Sequence, residues 1–279
     1  MKLVSFEHGG QSSYGLMQDD TIIDVGFGLK SEFPTLRSAL PHQHKIQEQI
    51  DRAPQFAVSD VEFLPVITDP GRIICVGLNY KSHIAETGRD EPKYPIIFPR
   101  YPDSLVGNGV AMVRPVASKT FDFEGELAFV IGKEGRHISE SDAMEHVAGY
   151  ACFNDGSIRE YQRHTSQFMP GKCFWKSGSF GPYLATRDEI PDPQNLHLQT
   201  RLNGEVMQDT NTSDLLFGIP QLIAYLSDIF PLQPGDVVAT GTTGGVGAFR
   251  DPKVWMKAGD TIEVEISGLG TLSNPIVDE

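Results

Sequence analysis

Cysteine is scarce in this chain: Cys75, Cys152 and Cys173 are the only three among 279 residues. They are too few and too scattered to staple a small fold with disulfides or to cage zinc. Positive charge is scarce too. Against 37 Asp and Glu stand 23 Lys and Arg, a formal net charge of −14. So negative a surface repels phosphate backbones and anionic lipid, which argues against nucleic-acid and membrane-surface partners. An anionic substrate then has to be held by a metal or by a few placed basic residues. No apolar run approaches the roughly 20 residues of a membrane-crossing helix. The first residues, Met1–Gly10, carry no apolar signal core. The expectation is a cytoplasmic enzyme, with a soluble binding protein as the rival from another class.

Hydrophobic residues make up 39% of the chain and charged residues 22%, a balance that supports a real core. Turn signals separate short strand-like runs. Lys2–Phe6, Tyr14–Met17 and Thr21–Val25 read as a small meander, and Pro34–Asp51 as helical with a break at Pro41. Val61–Ile67 reads as a strand, and Asp69-Pro70-Gly71 as a turn. A boundary is expected there, with a small N-terminal domain at 1–68 and a larger one at 69–279. The second part is strand-rich: Arg72–Val76, Leu127–Ile131, Val147–Phe153, Leu196–Leu202, Val237–Thr240, and Thr261–Ile266 paired with Thr271–Val277. Ser213–Ile229 is the clearest helical pattern. Regular βαβ alternation is missing, so the reading is a mixed β-rich α+β fold rather than a doubly wound sheet.

The segment Phe121–Ile131 carries the most chemistry. Read with a period of two, Phe121, Phe123, Leu127, Phe129 and Ile131 share one face, and Asp122, Glu124 and Glu126 the other. Three like charges on one strand face repel each other. Either solvent or a bound cation relieves them, and the strand alone fits both. Ala148–Phe153 then runs apolar into Asn154-Asp155-Gly156-Ser157, which sets Asp155 where a buried strand emerges into a turn. Arg159 and Gln162 follow at a helical spacing of three, on one face. A helix cap accounts for Asp155 or Ser157, but not for a carboxylate, a guanidinium and an amide gathered at one strand end.

Proton chemistry is available after Arg72–Val76. If the chain turns helical past Asn79, His83 and Glu86 meet at i, i+3, and a carboxylate fixes the tautomer of its histidine and raises its basicity. An exposed surface pair fits the same spacing. Ile84–Pro95, with Gly88, Pro92 and mixed charge, reads as a mobile loop over a site. Pro170-Gly171-Lys172 sets a lysine in a tight turn, suited to a developing oxyanion. Gly241–Gly247 follows a strand and offers backbone N–H groups to an anion, although it is neither a P-loop nor a dinucleotide fingerprint. His42-Gln43-His44 reads as a solvated turn and Cys173 as an inert thiol.

Gly77-Leu78-Asn79-Tyr80 with His83 and Glu86, then Asp122-Phe123-Glu124-Gly125-Glu126-Leu127, resembles the fumarylacetoacetate hydrolase superfamily. So do Gly149-Tyr150 with Asn154-Asp155 and Arg159, Gly171-Lys172, the Gly241–Gly247 loop, Gly259-Asp260 and Gly270–Asn274. The resemblance runs in the family's order from Arg72 to the C-terminus. It implies that family's β-fold catalytic domain with a smaller N-terminal domain, and a homodimer. It implies Mg²⁺, with Mn²⁺ or Ca²⁺ as alternatives, on Glu124, Glu126 and Asp155, and a water-activating pair in His83 and Glu86. Lys172 would be catalytic, and Tyr80, Arg100, Arg159, Gln162 and Thr242 would contact a small anionic oxo acid. The chain departs from the family's usual pattern at Trp175, where many members have Asp, and at Ser179 and Thr243, where many have Pro. Trp175 is expected to place an apolar ring beside Lys172 and reshape the pocket. The expected activity is hydrolysis of a carbon–carbon bond in a diketo acid of acylpyruvate or fumarylacetoacetate type. Decarboxylation or isomerisation of an oxaloacetate-like 2-oxo acid is the alternative, and a non-catalytic metal- and oxo-acid-binding homologue the second.

Overall fold

The computed structural model describes residues 1–279. Its centre is the strand Gly125–Ile131, in which all 7 residues are buried. Leu127, Phe129 and Ile131 enter one core cluster, and Ala128 and Val130 another. A strand that is dry on both faces needs cover on both sides. Gly125–Ile131 pairs antiparallel with Val147–Asn154 on one edge and Val237–Thr242 on the other. Beyond Val147–Asn154 the sheet continues through Gly178–Thr186, Lys2–His8, Gln11–Gln18, Thr21–Ile23 and Gln55–Ala57. Beyond Val237–Thr242 it continues through Ile73–Gly77, in parallel, to Ile96–Arg100.

One face is covered by a second, 5-stranded sheet and by the helix Ile219–Ile229, through residues such as Val264, Ile266, Leu222 and Leu226. Helical turns between residues 26 and 49 cover the other with Leu29, Leu36, Leu40 and Ile46. This is the β-rich α+β architecture expected. The expected boundary near residue 69 lies in the turn before Ile73–Gly77, yet the sheet runs across it. Leu3 pairs with Leu184, and Leu3, Leu16 and Ile46 share a cluster with Cys75 and Ala239.

Differences from the sequence reading are local. Val61–Ile67 yields only the short strand Glu62–Phe63. The helix expected from Ser213 begins at Ile219, with Pro220 in its first turn, where a missing N–H costs nothing. Upstream, Asn211 accepts from the Ser213 N–H and starts a separate short turn. Gly178–Thr186, a fully buried central strand, was not expected at all. Pro41 breaks its helical segment as anticipated, inside the turn Leu40–His42.

Asn79 joins this framework to the site. It is fully buried. Its Nδ2 donates to the carbonyls of Phe217 (3.0 Å) and Thr240 (2.8 Å), and its Oδ1 accepts the Phe217 N–H (2.8 Å). It thereby ties the start of the helix Lys81–Thr87 to Val237–Thr242 and to the loop before Ile219. Asn79→Ala strands one buried and two part-buried backbone groups, so we expect a loss of about 2–3 kcal/mol in urea unfolding. An unchanged midpoint would show that the clamp carries no weight.

Candidate active site

The acidic run does not lie along one strand face as expected. The chain breaks at Phe123-Glu124, leaving Phe121–Asp122 paired with Ser157–Ile158 and Gly125–Ile131 in the main sheet. Asp122, Glu124 and Glu126 are all buried, at 0%, 5% and 1% exposure, which excludes a solvated acidic face. The break sends Asp122 away from the other two. Asp122 accepts from Arg159 Nε at 2.7 Å and from the N–H groups of Gly247 and Ala248.

Glu124, Glu126 and Asp155 converge, with ligand oxygens within 4.8 Å of one another. Pairing of Gly125 with Asn154 brings the two segments together, and the Asp155 N–H donates to the Glu124 carbonyl at 2.9 Å. Lys172 closes the cluster from the helical turn Met169–Lys172. Its Nζ lies 2.6 Å from Glu124 Oε2 and 2.7 Å from Asp155 Oδ2, with 1% of the residue exposed. That turn fits because residue 171 is glycine: a Cβ there would meet Gln162 N at 2.5 Å and the Ile158 carbonyl at 2.6 Å. Arg159 bonds Glu124 and, at 2.9 Å, Gln162 Oε1, while its buried Nη2 has no partner.

The charges do not balance within the protein. Asp122, Glu124, Glu126 and Asp155 face Arg100, Arg159 and Lys172, and Glu126 is the carboxylate without a cationic partner. Its Oε2 accepts only the Gly241 N–H, at 2.8 Å. Burial, reinforced by Asp155 and Glu124, pushes the Glu126 carboxyl well above the ordinary carboxylate range. Burial also acts to raise Glu124, but Lys172 and Arg159 outweigh it and hold that carboxyl at about 2. An all-oxygen set with one uncompensated carboxylate suits a hard divalent cation, so the acidic triad can hold one.

His83 and Glu86 meet as expected, on the helix Lys81–Thr87, with His83 Nδ1 2.8 Å from Glu86 Oε1. Glu86 Oε2 accepts the Gly245 N–H at 2.8 Å, and the Phe249 ring stands edge-on to the imidazole at 6.0 Å. With Nδ1 engaged by a carboxylate, Nε2 is the nitrogen left to accept a proton. His83, Glu124, Glu126, Arg159, Gln162, Lys172 and Thr242 all line one cavity of about 710 Å³.

Several expectations are corrected. The N–H groups of Gly241–Gly247 are not free for a substrate anion: they hold Glu126, Glu86 and Asp122, three of the protein's own carboxylates. Thr242 Oγ1 lies in the cavity wall but donates to the Gly125 carbonyl and accepts from Gln208 Nε2. Arg100 does not face the cavity. It is 2% exposed and spent on Asp155, the Gly156 carbonyl and Ser177, so it braces a carboxylate from behind. Tyr80 is likewise fully buried, off the cavity wall, with its hydroxyl unpartnered. Trp175 does not shape the pocket: it is 56% exposed and carries Lys176 over its ring. Conversely, Arg163 and Phe249 line the cavity unannounced by any motif, as do Arg89, from the segment read as a loop over a site, and Phe168, beside the lysine turn, neither of which was singled out for the site. Gln208, which also accepts the Gly125 N–H, was missed too, as a lone polar residue in a strand.

The family model described as fumarylacetoacetate (FAA) hydrolase C-terminal matches residues 72–277. The chain belongs to the fumarylacetoacetate hydrolase family of enzymes. It is 42% identical over 250 residues to a mitochondrial oxaloacetate tautomerase of Xenopus laevis, covering 89% of this chain and 76% of the relative. To a human mitochondrial oxaloacetate tautomerase it is 44% identical over 221 residues, 78% of this chain and 70% of the relative. Among solved structures it matches fumarylacetoacetate hydrolase from Exiguobacterium antarcticum, with a TM-score of 0.87, 32% identity and 100% of both chains covered. It also matches a maleylpyruvate hydrolase from Sphingobium in complex with manganese(II) and pyruvate, with a TM-score of 0.82, 26% identity, and 100% and 99% covered. The expected cytoplasmic location does not stand, because relatives at 42–44% identity are mitochondrial proteins.

The unpaired Glu126 generates a stability prediction. Below the ordinary carboxylate pKa, this group is protonated in both folded and unfolded chains and contributes no difference. As pH rises above it, the unfolded chain ionises freely while the fold holds the group neutral, so the metal-free protein loses stability up to the raised folded pKa. Glu126→Gln should therefore raise the metal-free Tm at neutral pH and abolish the upward shift that Mn²⁺ or Mg²⁺ gives the wild type. A variant that keeps the full metal-induced shift would remove Glu126 from the ligand set.

Proposed function

We propose that this protein interconverts the keto and enol forms of an oxaloacetate-like 2-oxo acid, with Mg²⁺ or Mn²⁺ at Glu124, Glu126 and Asp155. The observation that carries the reading is the His83–Glu86 pair, held on the wall of the same cavity as the buried carboxylates. The two tautomerase relatives support isomerisation over the carbon–carbon hydrolysis favoured by the motifs alone. A divalent ion at the triad would polarise the 2-oxo group and so acidify C3.

The chain's own groups perform the remaining tasks. His83 Nε2 takes a proton from C3 of the keto form and the C2–C3 double bond forms; the imidazolium then returns that proton, through a water molecule that is regenerated, to the C2 oxygen, giving the enol and neutral His83. The reverse order returns the ketone, and no water is consumed. Glu86 orients the imidazole and balances the charge it gains. The free Nη2 of Arg159 donates to a substrate oxygen, which supplies the partner its buried N–H lacks. Lys172, already shared between Glu124 and Asp155, holds those carboxylates in register.

Two measurements test this. Loss of the enol absorbance of oxaloacetate should be accelerated by the metal-loaded protein, and the wild type should exchange the C3 protons for deuterium. His83→Ala or Glu86→Gln should each lower that rate by about a hundredfold or more while Mn²⁺ affinity stays within about threefold. Full exchange rates in either variant would sink the assignment. Label from ¹⁸O water appearing in a new carboxylate of an acylpyruvate, with no exchange on oxaloacetate, would restore hydrolysis.

A further inference from the structure

The cavity holds five positively charged or chargeable side chains, and they divide into two sets. Arg159 and Lys172 are buried and paired with Asp122, Glu124 and Asp155, and His83 is paired with Glu86. Arg89 and Arg163 are exposed, and neither has an ion pair or a side-chain hydrogen bond. They come from separate elements. Arg89 follows Gly88, whose left-handed φ of 67° ends the helix that carries His83. Arg163 caps the turn Arg159–Gln162, with its N–H bonded back to Glu160 and Tyr161. Both helical segments therefore contribute to the cavity twice, once with a buried residue at its floor and once with a free guanidinium at its rim.

The floor offers free donors to only part of an anionic substrate. Its one unpartnered donor is Arg159 Nη2, and its other cations are spent on the acidic cluster. No carboxylate other than Glu124 and Glu126 lines the cavity. In a chain of net charge −14, two free arginines on one rim form a local positive field where the surrounding surface repels anions. A guanidinium binds a carboxylate through paired N–H donors, a match of shape as well as charge.

We infer that Arg89 and Arg163 receive the distal carboxylate of a dicarboxylic 2-oxo acid whose oxo-acid end sits at the carboxylate cluster. They are specificity residues and take no part in proton transfer. The inference rests on the functional reading above, and it narrows the substrate class to diacids. Monocarboxylic 2-oxo acids would meet the floor equally well but leave the rim arginines empty. The Ser166 hydroxyl, in the same wall, is placed to complete the distal site, whereas Thr165 Oγ1 beside it is engaged by the Gln167 backbone.

The test compares acids of equal length on the Mn²⁺-loaded protein by titration calorimetry: oxaloacetate with 2-oxobutyrate, and 2-oxoglutarate with 2-oxovalerate. In the wild type, at least one diacid should bind about tenfold to a hundredfold more tightly than its monoacid partner. Arg89→Gln with Arg163→Gln should collapse that ratio to within about threefold and leave monoacid binding unchanged. The double lysine variant should recover part of it. Both positions are exposed, so folding is not at stake, and an unshifted Tm confirms this. A wild type without diacid preference overturns the inference. So does a preference that survives in the double glutamine variant, or an equal loss for monoacids and diacids. Deuterium exchange at C3 is scored separately. Arginine-dependent preference without exchange keeps this inference and discards the tautomerase reading; exchange without that preference does the reverse.

Discussion

The buried charge at the cavity floor is the constraint to which the rest of the molecule answers. Taking one carboxylate or ammonium out of water costs several kcal/mol even after relaxation, and here Asp122, Glu124, Glu126, Asp155, Arg100, Arg159 and Lys172 are all taken out together. The arrangement survives because nearly every carboxylate oxygen has a donor. Arg100 stands behind Asp155, Lys172 bridges Asp155 and Glu124, and Arg159 bridges Glu124 and Asp122. Glu126 is left over. The fold tolerates a destabilising carboxyl at the one place where a cation is useful, which is the usual relation between a strained site and its function.

Backbone amides do as much of this holding as side chains do. The end of Val237–Thr242 and the loop after it give one N–H, from Gly241, to Glu126, one, from Gly245, to Glu86 and two, from Gly247 and Ala248, to Asp122. A single segment thus fixes a metal-competent carboxylate, the carboxylate behind the histidine, and the carboxylate behind Arg159. Arg250 secures the loop in turn, through the carbonyls of Gly245 and Met207. Oriented amides are already in place before the reaction and do not reorganise during it.

How much of this could be read from the sequence follows from the range of the interactions. Glu124, Glu126 and Asp155 were legible because acidic residues inside apolar runs are costly without a purpose. His83 and Glu86 were legible because i, i+3 is a local relation. Arg100 and Tyr80 were expected at the substrate, but whether a side chain faces the cavity or backs it depends on partners distant in sequence, such as the Gly156 carbonyl and the Ser177 hydroxyl that hold Arg100, which no spacing encodes. Gly178–Thr186 was missed because Gly178, Gly181 and Pro182 spell a turn locally. Burial between Val147–Asn154 and Lys2–His8 overrides that preference. The glycine loop was recognised as an anion binder, and the error lay in whose anions it binds.

The order of strands in the main sheet has a consequence for synthesis. Ile73–Gly77 lies between Ile96–Arg100 and Val237–Thr242, and Gly125–Ile131 also waits for Val237–Thr242 on one edge. On the ribosome, the first half of the chain emerges with these edges open and its apolar faces uncovered. Neither edge can close until more than 240 residues have been made. A nascent chain in that state exposes unpaired strands to its neighbours for much of its translation. The topology that gathers distant carboxylates into one cluster therefore also makes this a late-closing fold whose strand edges stay exposed while it is made.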